Sequence, residues 1–326
     1  MTDTTAGARS GGLVAAAHLR MWWEIARPKV LVLVLLTGVP MLGMTGLPLT
    51  FAFAAKGALV LLGTGVAGAS SSAYNAWWER DRDAQMARTK RRPMPAAAMV
   101  PGEALALATV LAAGSTAGLL WLGGPLAALV SLGTIAFYVI VYTVWLKPRT
   151  PQNIVIGGAA GATAPMIIEA AMTGRITLAS VILFAVVFLW TPPHFWAIAI
   201  FRKEEYAAAG FPMMPNVIGD QPTRWRSLGY AILTVLVALA PVPLGLLSPL
   251  YGVASLALGA WFLYAVARSI VADDPRVDWR VFKISIAYLT LLYGAMLVDL
   301  ATSAIAGPFG QPYSLLIYGL NWSPVL

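Results

Sequence analysis

The chain has no cysteine, only two histidines and few charged residues, and these scarcities exclude several classes of protein. Without cysteine there can be no disulfides, thiolate metal sites or cysteine nucleophiles. Charged residues fill 11% of the 326 positions, whereas a soluble domain carries roughly a quarter. Hydrophobic residues fill 59%, in long blocks that leave no interval large enough for a separate soluble domain. The composition therefore predicts a polytopic membrane protein.

Nine apolar blocks are long enough to be transmembrane helices, because about 20 apolar residues cross a hydrocarbon core. They are Val30–Leu47, Phe51–Trp77, Ala104–Gly123, Leu126–Leu146, Ile154–Met172, Ile176–Phe201, Leu228–Leu247, Tyr251–Ala272 and Val281–Ala306. Helix is expected because an open sheet cannot satisfy its backbone in lipid. We predict an all-α bundle of nine transmembrane helices in residues 27–306, with a cytoplasmic tail over 1–26 and an interfacial tail over 307–326.

The cations predict the orientation of this bundle. With the N-terminus inside, every lysine and arginine except Lys56 and Arg175 falls on the cytoplasmic side, as the positive-inside rule requires. The C-terminus is then outside. The net charge of +8 is spread between the apolar blocks, so it indicates topology and not nucleic-acid binding. The longer, acid-containing connections are cytoplasmic, and we expect the functional site there.

The second predicted span ends in an acidic motif. Asn75, Glu79 and Asp83 are spaced by four residues and so share one helical face. Oxygen ligands of this kind suit Mg²⁺, which binds through one or two carboxylates and substrate phosphates. The basic run over residues 88–92 would neutralise phosphate charge. The alternative is a juxtamembrane loop whose acids pair with neighbouring arginines.

A second polar cluster follows the sixth predicted span. Pro192 and Pro193 break the helix, which membrane helices tolerate where neighbours or cavity water satisfy the backbone. His194 comes directly after this break, and Glu204 and Glu205 follow beside Arg202 and Lys203. The two acidic clusters are compatible with two half-sites that face each other. Alternatively, His194 caps the broken helix and the acids pair with their basic neighbours.

At these residues the sequence resembles the UbiA-type intramembrane prenyltransferases, and within them the protohaem IX farnesyltransferases (haem O synthases). The resemblance extends from about residue 27 to residue 299. The stretches that carry it are Asn75-x3-Glu79-x3-Asp83-x2-Met86-x-Arg88-Thr89-x2-Arg92-Pro93, the segment Lys147-x-Arg149-Thr150-Pro151-Gln152-Asn153-Ile154-Val155-Ile156-Gly157-Gly158, Thr191-Pro-Pro-His194-Phe-Trp196, and Tyr206-x3-Gly210-x-Pro212-Met-x-Pro215.

The resemblance implies a substrate cavity with one or two Mg²⁺ ions at its cytoplasmic mouth, in the inner (cytoplasmic) membrane. It implies that farnesyl diphosphate alkylates a vinyl group of haem B, with water added, to give haem O. Haem O would then serve a terminal oxidase, directly or through a haem A synthase, and contact with either is a possible partnership. Two alternatives stay open, namely prenylation of another acceptor such as an aromatic quinone precursor, and non-catalytic haem handling.

The resemblance and the residue chemistry together imply three groups of site residues. The catalytic metal ligands are Asn75, Glu79, Asp83 and Glu205; the diphosphate-binding cations are Arg88, Lys147, Arg149, Arg202 and Lys203; and His194, Trp196 and Tyr206 are expected to contact haem or the prenyl chain. The aromatic residues also fit an interfacial belt. Glu169 is an acid within the fifth predicted span, and the sequence indicates no role for it.

Overall fold

The computed structural model describes residues 18–305, without the side chains of residues 29, 304 and 305. All regular structure within residues 18–305 is helical, which confirms the all-α prediction. The helices are α1 (His18–Ala26), α2 (Pro28–Met44), α3 (Phe51–Asp83), α4 (Pro101–Ala136), a π-helix (Phe137–Leu146), α5 (Asn153–Gly161), α6 (Ala164–Thr173), α7 (Leu178–Phe201), α8 (Lys203–Ala208), α9 (Met214–Ile218), α10 (Asp220–Leu239), α11 (Pro249–Ala272) and α12 (Pro275–Ile305). The tail predicted over 307–326 lies outside the described residues, and residues 18–26 of the predicted N-terminal tail are helical.

Six helical stretches of the described chain are long and apolar enough to cross a membrane. They are Phe51–Asp83, Pro101–Leu146, Asn153–Thr173, Leu178–Phe201, Pro249–Ala272 and Pro275–Ser303. A seventh is formed if α1 and α2, which meet at an angle of 55°, are counted as one span. The chain is therefore a multi-pass membrane protein.

Glycine and proline explain where these stretches are interrupted. Gly124 has a left-handed backbone (φ 80°) and precedes Pro125, so the third and fourth predicted spans are separated by a break inside α4. The fifth predicted span is divided between α5 and α6, and Pro165 lies in the first turn of α6. The seventh predicted span is displaced towards the N-terminus, since α10 begins at Asp220 and stops at Leu239, just before Pro241 and Pro243.

The helix break predicted at Pro192 and Pro193 is absent. α7 runs without interruption from Leu178 to Phe201 and contains both prolines, which are buried. Membrane helices tolerate such prolines where neighbouring helices satisfy the freed backbone groups. His194 therefore lies within α7, and it neither follows a break nor caps a broken helix.

A buried acid from another helix caps α7 at the end of the bundle away from the α3 acids. Glu169 of α6 is 2% exposed and accepts hydrogen bonds from the Thr177 N–H (2.7 Å), the Thr177 hydroxyl (2.5 Å) and the Ser180 hydroxyl (2.5 Å). A carboxylate at this position satisfies free donors and complements the helix dipole. Glu169 therefore has a structural role in joining α6 to α7.

At the opposite end, short elements cover the C-termini of α3 and α7. A compact apolar cluster joins the segment after α3 to α5, α7 and α8, and it consists of Met86, Ile154, Ala199, Tyr206, Ala209, Phe211 and Met213. This packing brings the two predicted acidic clusters to the same end of the bundle.

Candidate active site

The three polar residues of the first motif lie on one buried face of α3, as their spacing predicts. Asn75, Glu79 and Asp83 are 1%, 3% and 5% exposed, respectively. Asp81, between them in sequence, points away and its side chain is 83% exposed. A column of buried oxygens therefore runs along the last turns of α3, and burial of carboxylates requires nearby positive charge.

Glu79, in the middle of the column, is paired with a cation from the end of the π-helix. Its Oε2 lies 2.6 Å from the Lys147 Nζ, and the lysine side chain is 14% exposed. The Lys147 ammonium also lies over the rings of Phe211 (4.8 Å) and Tyr142 (5.8 Å). The second oxygen, Oε1, is buried without a hydrogen-bond partner in the described structure.

Asn75, the deepest of the three, holds an arginine that the sequence did not single out. The Arg27 Nη2 donates to Asn75 Oδ1 over 2.9 Å, while the Asn75 amide donates to the Thr143 hydroxyl over 3.3 Å. Arg27 lies at the bend between α1 and α2 and has a left-handed backbone (φ 53°). Strained backbone of this kind is concentrated at functional sites, and Arg27 joins the candidate site on that ground.

Asp83 completes the pattern with a third cation. The Arg92 Nη1 lies 3.2 Å from Asp83 Oδ2, and the Thr89 hydroxyl donates to the Asp83 carbonyl over 2.7 Å. Burial, together with the nearby Arg27 charge, lowers the pKa of Arg92, although Asp83 acts in the opposite direction. Each polar side chain of the column is thus bound to one basic residue, and each base comes from a different segment.

The second acidic cluster surrounds the start of α8. Glu205 pairs with Arg202 (2.6 Å), whereas Lys203 pairs with Asp220 (2.8 Å). The second Glu205 oxygen is buried and has no hydrogen-bond partner among the described residues. Glu204 is exposed. Of the two glutamates, Glu205 is therefore the one placed to bind a ligand.

Tyr206 lies between the two clusters. Burial raises the pKa of its phenol; the charges of Arg88, Lys147 and Arg202 act against this shift, and Glu205 adds to it. Tyr206 belongs to the same apolar cluster as Met86 and Phe211, and the Lys147 ammonium lies 4.8 Å from the Phe211 ring. The structure thus brings Lys147 to the side of the short segment that carries Glu205 and Tyr206.

The residues present fit a hard cation shared with a phosphate ligand. Two buried carboxylate oxygens, one on Glu79 and one on Glu205, have no partner in the described structure. Within the described residues there is no group of three or more His, Cys, Asp or Glu side chains that could hold a metal ion alone. A bound Mg²⁺ would therefore need the Asn75 amide and phosphate oxygens to complete its ligands, in keeping with its usual binding.

An apolar cavity lies deeper in the bundle along the same face of α3. Thr64, Gly68 and Ser71 of α3 form one wall, and Val34, Tyr138 and Ile167 belong to the others. These α3 residues precede Asn75 by one to three turns. The polar column therefore leads into a space with the apolar character that an isoprenoid chain requires.

The π-helix aligns the residues that connect the column to the cavity. Lys147 N donates to the Tyr142 carbonyl (2.9 Å) and the Thr143 hydroxyl donates to the Tyr138 carbonyl (2.9 Å), both across five positions. Tyr138 lines the cavity, while Lys147 reaches Glu79. Wider helical turns of this type often occur at functional sites, and no feature of the sequence predicted this one.

The match to a family model decides the classification, because residues 31–292 match the UbiA prenyltransferase family. The chain belongs to the UbiA prenyltransferase family. It is 43% identical over 300 residues to a protoheme IX farnesyltransferase of Rhodopseudomonas palustris (strain HaA2), covering 90% of this chain and 94% of that protein. It is 40% identical over 300 residues to the protoheme IX farnesyltransferase of Erythrobacter litoralis (strain HTCC2594), covering 87% of this chain and 93% of that protein.

Two solved structures, one of them of a UbiA homolog, share the fold. A digeranylgeranylglyceryl phosphate synthase superposes with a TM-score of 0.72 at 17% identity, covering 86% of this chain and 98% of that one. A UbiA homolog from Archaeoglobus fulgidus bound to GPP and Mg²⁺ superposes with a TM-score of 0.58 at 15% identity, covering 85% and 99%. The helical architecture described above is therefore the UbiA fold.

Two glycines of the Thr-Pro-Gln-Asn-Ile-Val-Ile-Gly-Gly stretch permit close packing between the elements around the site. A Cβ on Gly157 would lie 2.1 Å from the ring of Tyr142, and a Cβ on Gly158 would lie 3.0 Å from Thr191. Gly157 therefore lets α5 pack against the π-helix. Gly158 packs against the first residue of the Thr-Pro-Pro-His-Phe-Trp stretch, so two motifs that are distant in sequence are in contact.

Three expected site residues lie away from the acidic column. Arg149 is exposed and donates to the carbonyls of Val144 (2.9 Å) and Trp145 (3.1 Å), at the end of the π-helix. Trp196 is 1% exposed and packs edge-on against Tyr230 of α10.

His194 is stacked between Trp190 (4.1 Å) and Phe282 (4.7 Å), at the contact of α7 with α12. None of the contacts described for His194, Arg149 and Trp196 involves the α3 acids.

Proposed function

We propose that this chain transfers the farnesyl group of farnesyl diphosphate to a vinyl group of haem B, with addition of water, to give haem O. The observation that carries the proposal is the identity of 43% over 90% of the chain to a protoheme IX farnesyltransferase. The buried oxygen column, the three basic residues paired with it and the apolar cavity support the proposal, because together they suit a prenyl diphosphate. In the reaction, the bond from C1 to the diphosphate oxygen breaks and the leaving group takes the electron pair. C1 then bonds to the vinyl carbon, and water adds to the resulting cation and loses a proton.

We infer that Asn75, Glu79, Asp83 and Glu205 hold one or two Mg²⁺ ions together with the diphosphate. Bound there, Mg²⁺ would neutralise charge on the leaving group. The unpartnered oxygens of Glu79 and Glu205 support this assignment, as does the structure of the Archaeoglobus fulgidus homolog, which is bound to GPP and Mg²⁺.

The cations of the column would change partners when substrate binds. Arg27, Lys147 and Arg92 now occupy oxygens of Asn75, Glu79 and Asp83. Once those oxygens bind metal, the three bases are free to contact the diphosphate, which is the ligand that arginine and lysine recognise well. We expect Arg88, in the basic segment after α3, and Arg202, beside Glu205, to extend this cradle. Arg149 and Lys203 would need to leave their present partners to join it.

We place haem B near His194, and the hydrogen bonds around this residue support a ligand role. The Ser285 hydroxyl donates to the Phe282 carbonyl (2.7 Å), so at its contact with His194 Nδ1 (2.7 Å) its oxygen accepts a hydrogen bond from the imidazole N–H. Nδ1 then carries the hydrogen and Nε2 keeps the lone pair that iron would bind. Tyr206 and Trp196 stay candidates for contact with haem or the prenyl chain.

We also propose nine membrane crossings with the N-terminus in the cytoplasm, in the inner (cytoplasmic) membrane. The six long stretches become nine if the break at Gly124 separates two crossings and if α2 and α10 each cross as well. The distribution of lysine and arginine supports the orientation. Delivery of haem O to a haem A synthase or a terminal oxidase would follow on the same membrane.

Turnover by purified protein in nanodiscs tests the proposal. With haem B, farnesyl diphosphate and Mg²⁺, mass spectrometry should detect haem that has gained a farnesyl group and water, and EDTA should abolish the product. Glu79→Gln and Asp83→Asn should each lower the rate by orders of magnitude, whereas Asp81→Asn, on the exposed face of the same helix, should not. Prenylation of 4-hydroxybenzoate without a haem product would show that the acceptor is an aromatic acid and not haem B. Folded protein that is inactive with every acceptor would favour haem handling instead.

A further inference from the structure

A groove between α11 and α12 lies apart from the site described above. Trp261, Tyr264 and Arg268 line it on α11, and Arg280, Val281 and Ile284 line it on α12. Spacings of three and four residues place Trp261, Tyr264 and Arg268 on one face of α11, and the same spacings relate Ile284 to Val281 and Arg280 on α12. The two arginines lie towards the connection between the helices, and the aromatic and aliphatic residues lie up to about 10 Å deeper, at 1.5 Å per residue.

The acids of the connection do not neutralise these arginines. Asp273 and Asp278 both bind the buried guanidinium of Arg224, and Asp278 does so through both of its oxygens. Asp274 accepts from the backbone N–H of Arg276 over 2.8 Å. Within residues 18–303, Arg268 and Arg280 have no carboxylate within 4 Å. The end of the groove next to the connection is therefore positively charged, and both of its arginines are exposed.

We propose that this groove binds one anionic phospholipid, with the phosphate between Arg268 and Arg280 and an acyl chain along Tyr264 and Ile284. Arginine pairs well with phosphate oxygens, and basic clefts between transmembrane helices bind anionic headgroups. The apolar length of the groove favours a lipid over free phosphate, which would use only the arginine end. Trp261 and Tyr264, 39% and 63% exposed, would lie at the depth of the upper acyl chain. This inference does not depend on the proposed reaction.

Native mass spectrometry of the detergent-purified protein tests the site with phosphatidylglycerol and phosphatidylcholine of equal chain length. Phosphatidylglycerol should be retained in preference to phosphatidylcholine. Its affinity should fall about fivefold for each arginine removed and about 25-fold in R268Q/R280Q. R268K/R280K should keep most of the affinity. R276Q is the matched control, because Arg276 is exposed in the first turn of α12, next to the same connection, but does not line the groove.

Four results would overturn the proposal, provided that the variants melt at the wild-type temperature. Equal retention of the two lipids would show that the charge of the headgroup does not determine binding. An equal loss in R276Q would show that net charge, and not the groove, attracts the lipid. Displacement of the lipid by millimolar glycerol phosphate, or loss of haem B in place of lipid from R268Q/R280Q, would assign the arginines to another ligand.

Discussion

Lys147→Met would isolate the electrostatic role of the ion pair at the centre of the site. The pair joins side chains that are 14% and 3% exposed across 2.6 Å, and the other Glu79 oxygen already lacks a partner. Removing one partner of a buried pair costs about 3–5 kcal/mol because the remaining charge is uncompensated. Since Lys147 is in partial contact with solvent, we expect the lower end, about 3 kcal/mol, or roughly a 5 °C fall in melting temperature.

A second substitution separates this charge effect from lost packing. In Lys147→Met with Glu79→Gln the buried charge is gone, so most of the lost stability should return even though activity stays abolished. Adding Mg²⁺ should raise the melting temperature of Lys147→Met more than that of the wild type, because Glu79 is then free for the ion. Thermal unfolding in detergent, followed by tryptophan fluorescence, measures all three. The reasoning fails if Lys147→Met melts like the wild type, or if Glu79→Gln does not restore it.

Substitutions at three further residues test individual contacts. Arg27→Gln should bind Mn²⁺, as a probe for Mg²⁺, about tenfold more tightly, because a charge-assisted hydrogen bond worth about 1.5–3 kcal/mol no longer competes with the metal. The same variant should bind farnesyl thiodiphosphate more weakly, and calorimetry measures both affinities. If the two affinities change in the same direction, the proposed exchange of partners is wrong. Glu169→Ala should lower stability by about 3 kcal/mol in thermal melts, since three donors lose their acceptor, and Glu169→Gln by less. His194→Ala should remove the iron-ligation signature from the Soret spectrum of bound haem, and an unchanged spectrum would exclude this ligand.

The sequence was sufficient where a local pattern determined the structure. Runs of about 20 apolar residues predicted the long helices, and the spacing of Asn75, Glu79 and Asp83 predicted one helical face because α3 continues beyond its apolar part to Asp83. Gly124 with Pro125 marked a break for the same reason, since their backbone preferences do not depend on distant residues. The same preference failed at Pro192 and Pro193, because these prolines are buried in the bundle and α7 continues through them.

Long-range partners could not be predicted in this way. Arg27 looked like a topology signal at the start of the first span, and only the bend between α1 and α2 brings it to Asn75. The role of Glu169 depends on donors from the start of α7, and nothing in the local sequence indicates that contact. The π-helix likewise lies in an apolar run whose residues are equally compatible with an ordinary α-helix.

The pairing of the column with three bases also bears on the order of ligand binding. Metal alone would have to displace Arg27, Lys147 and Arg92 from oxygens they already satisfy, and would leave three cations unpaired in a largely buried site, which is costly. Diphosphate alone would compete with the same carboxylates for the same bases. When both arrive, each displaced base gains a phosphate oxygen and each vacated oxygen gains a metal. The geometry therefore favours joint binding of Mg²⁺ and prenyl diphosphate over either ligand alone, and it keeps the acids satisfied in the substrate-free protein.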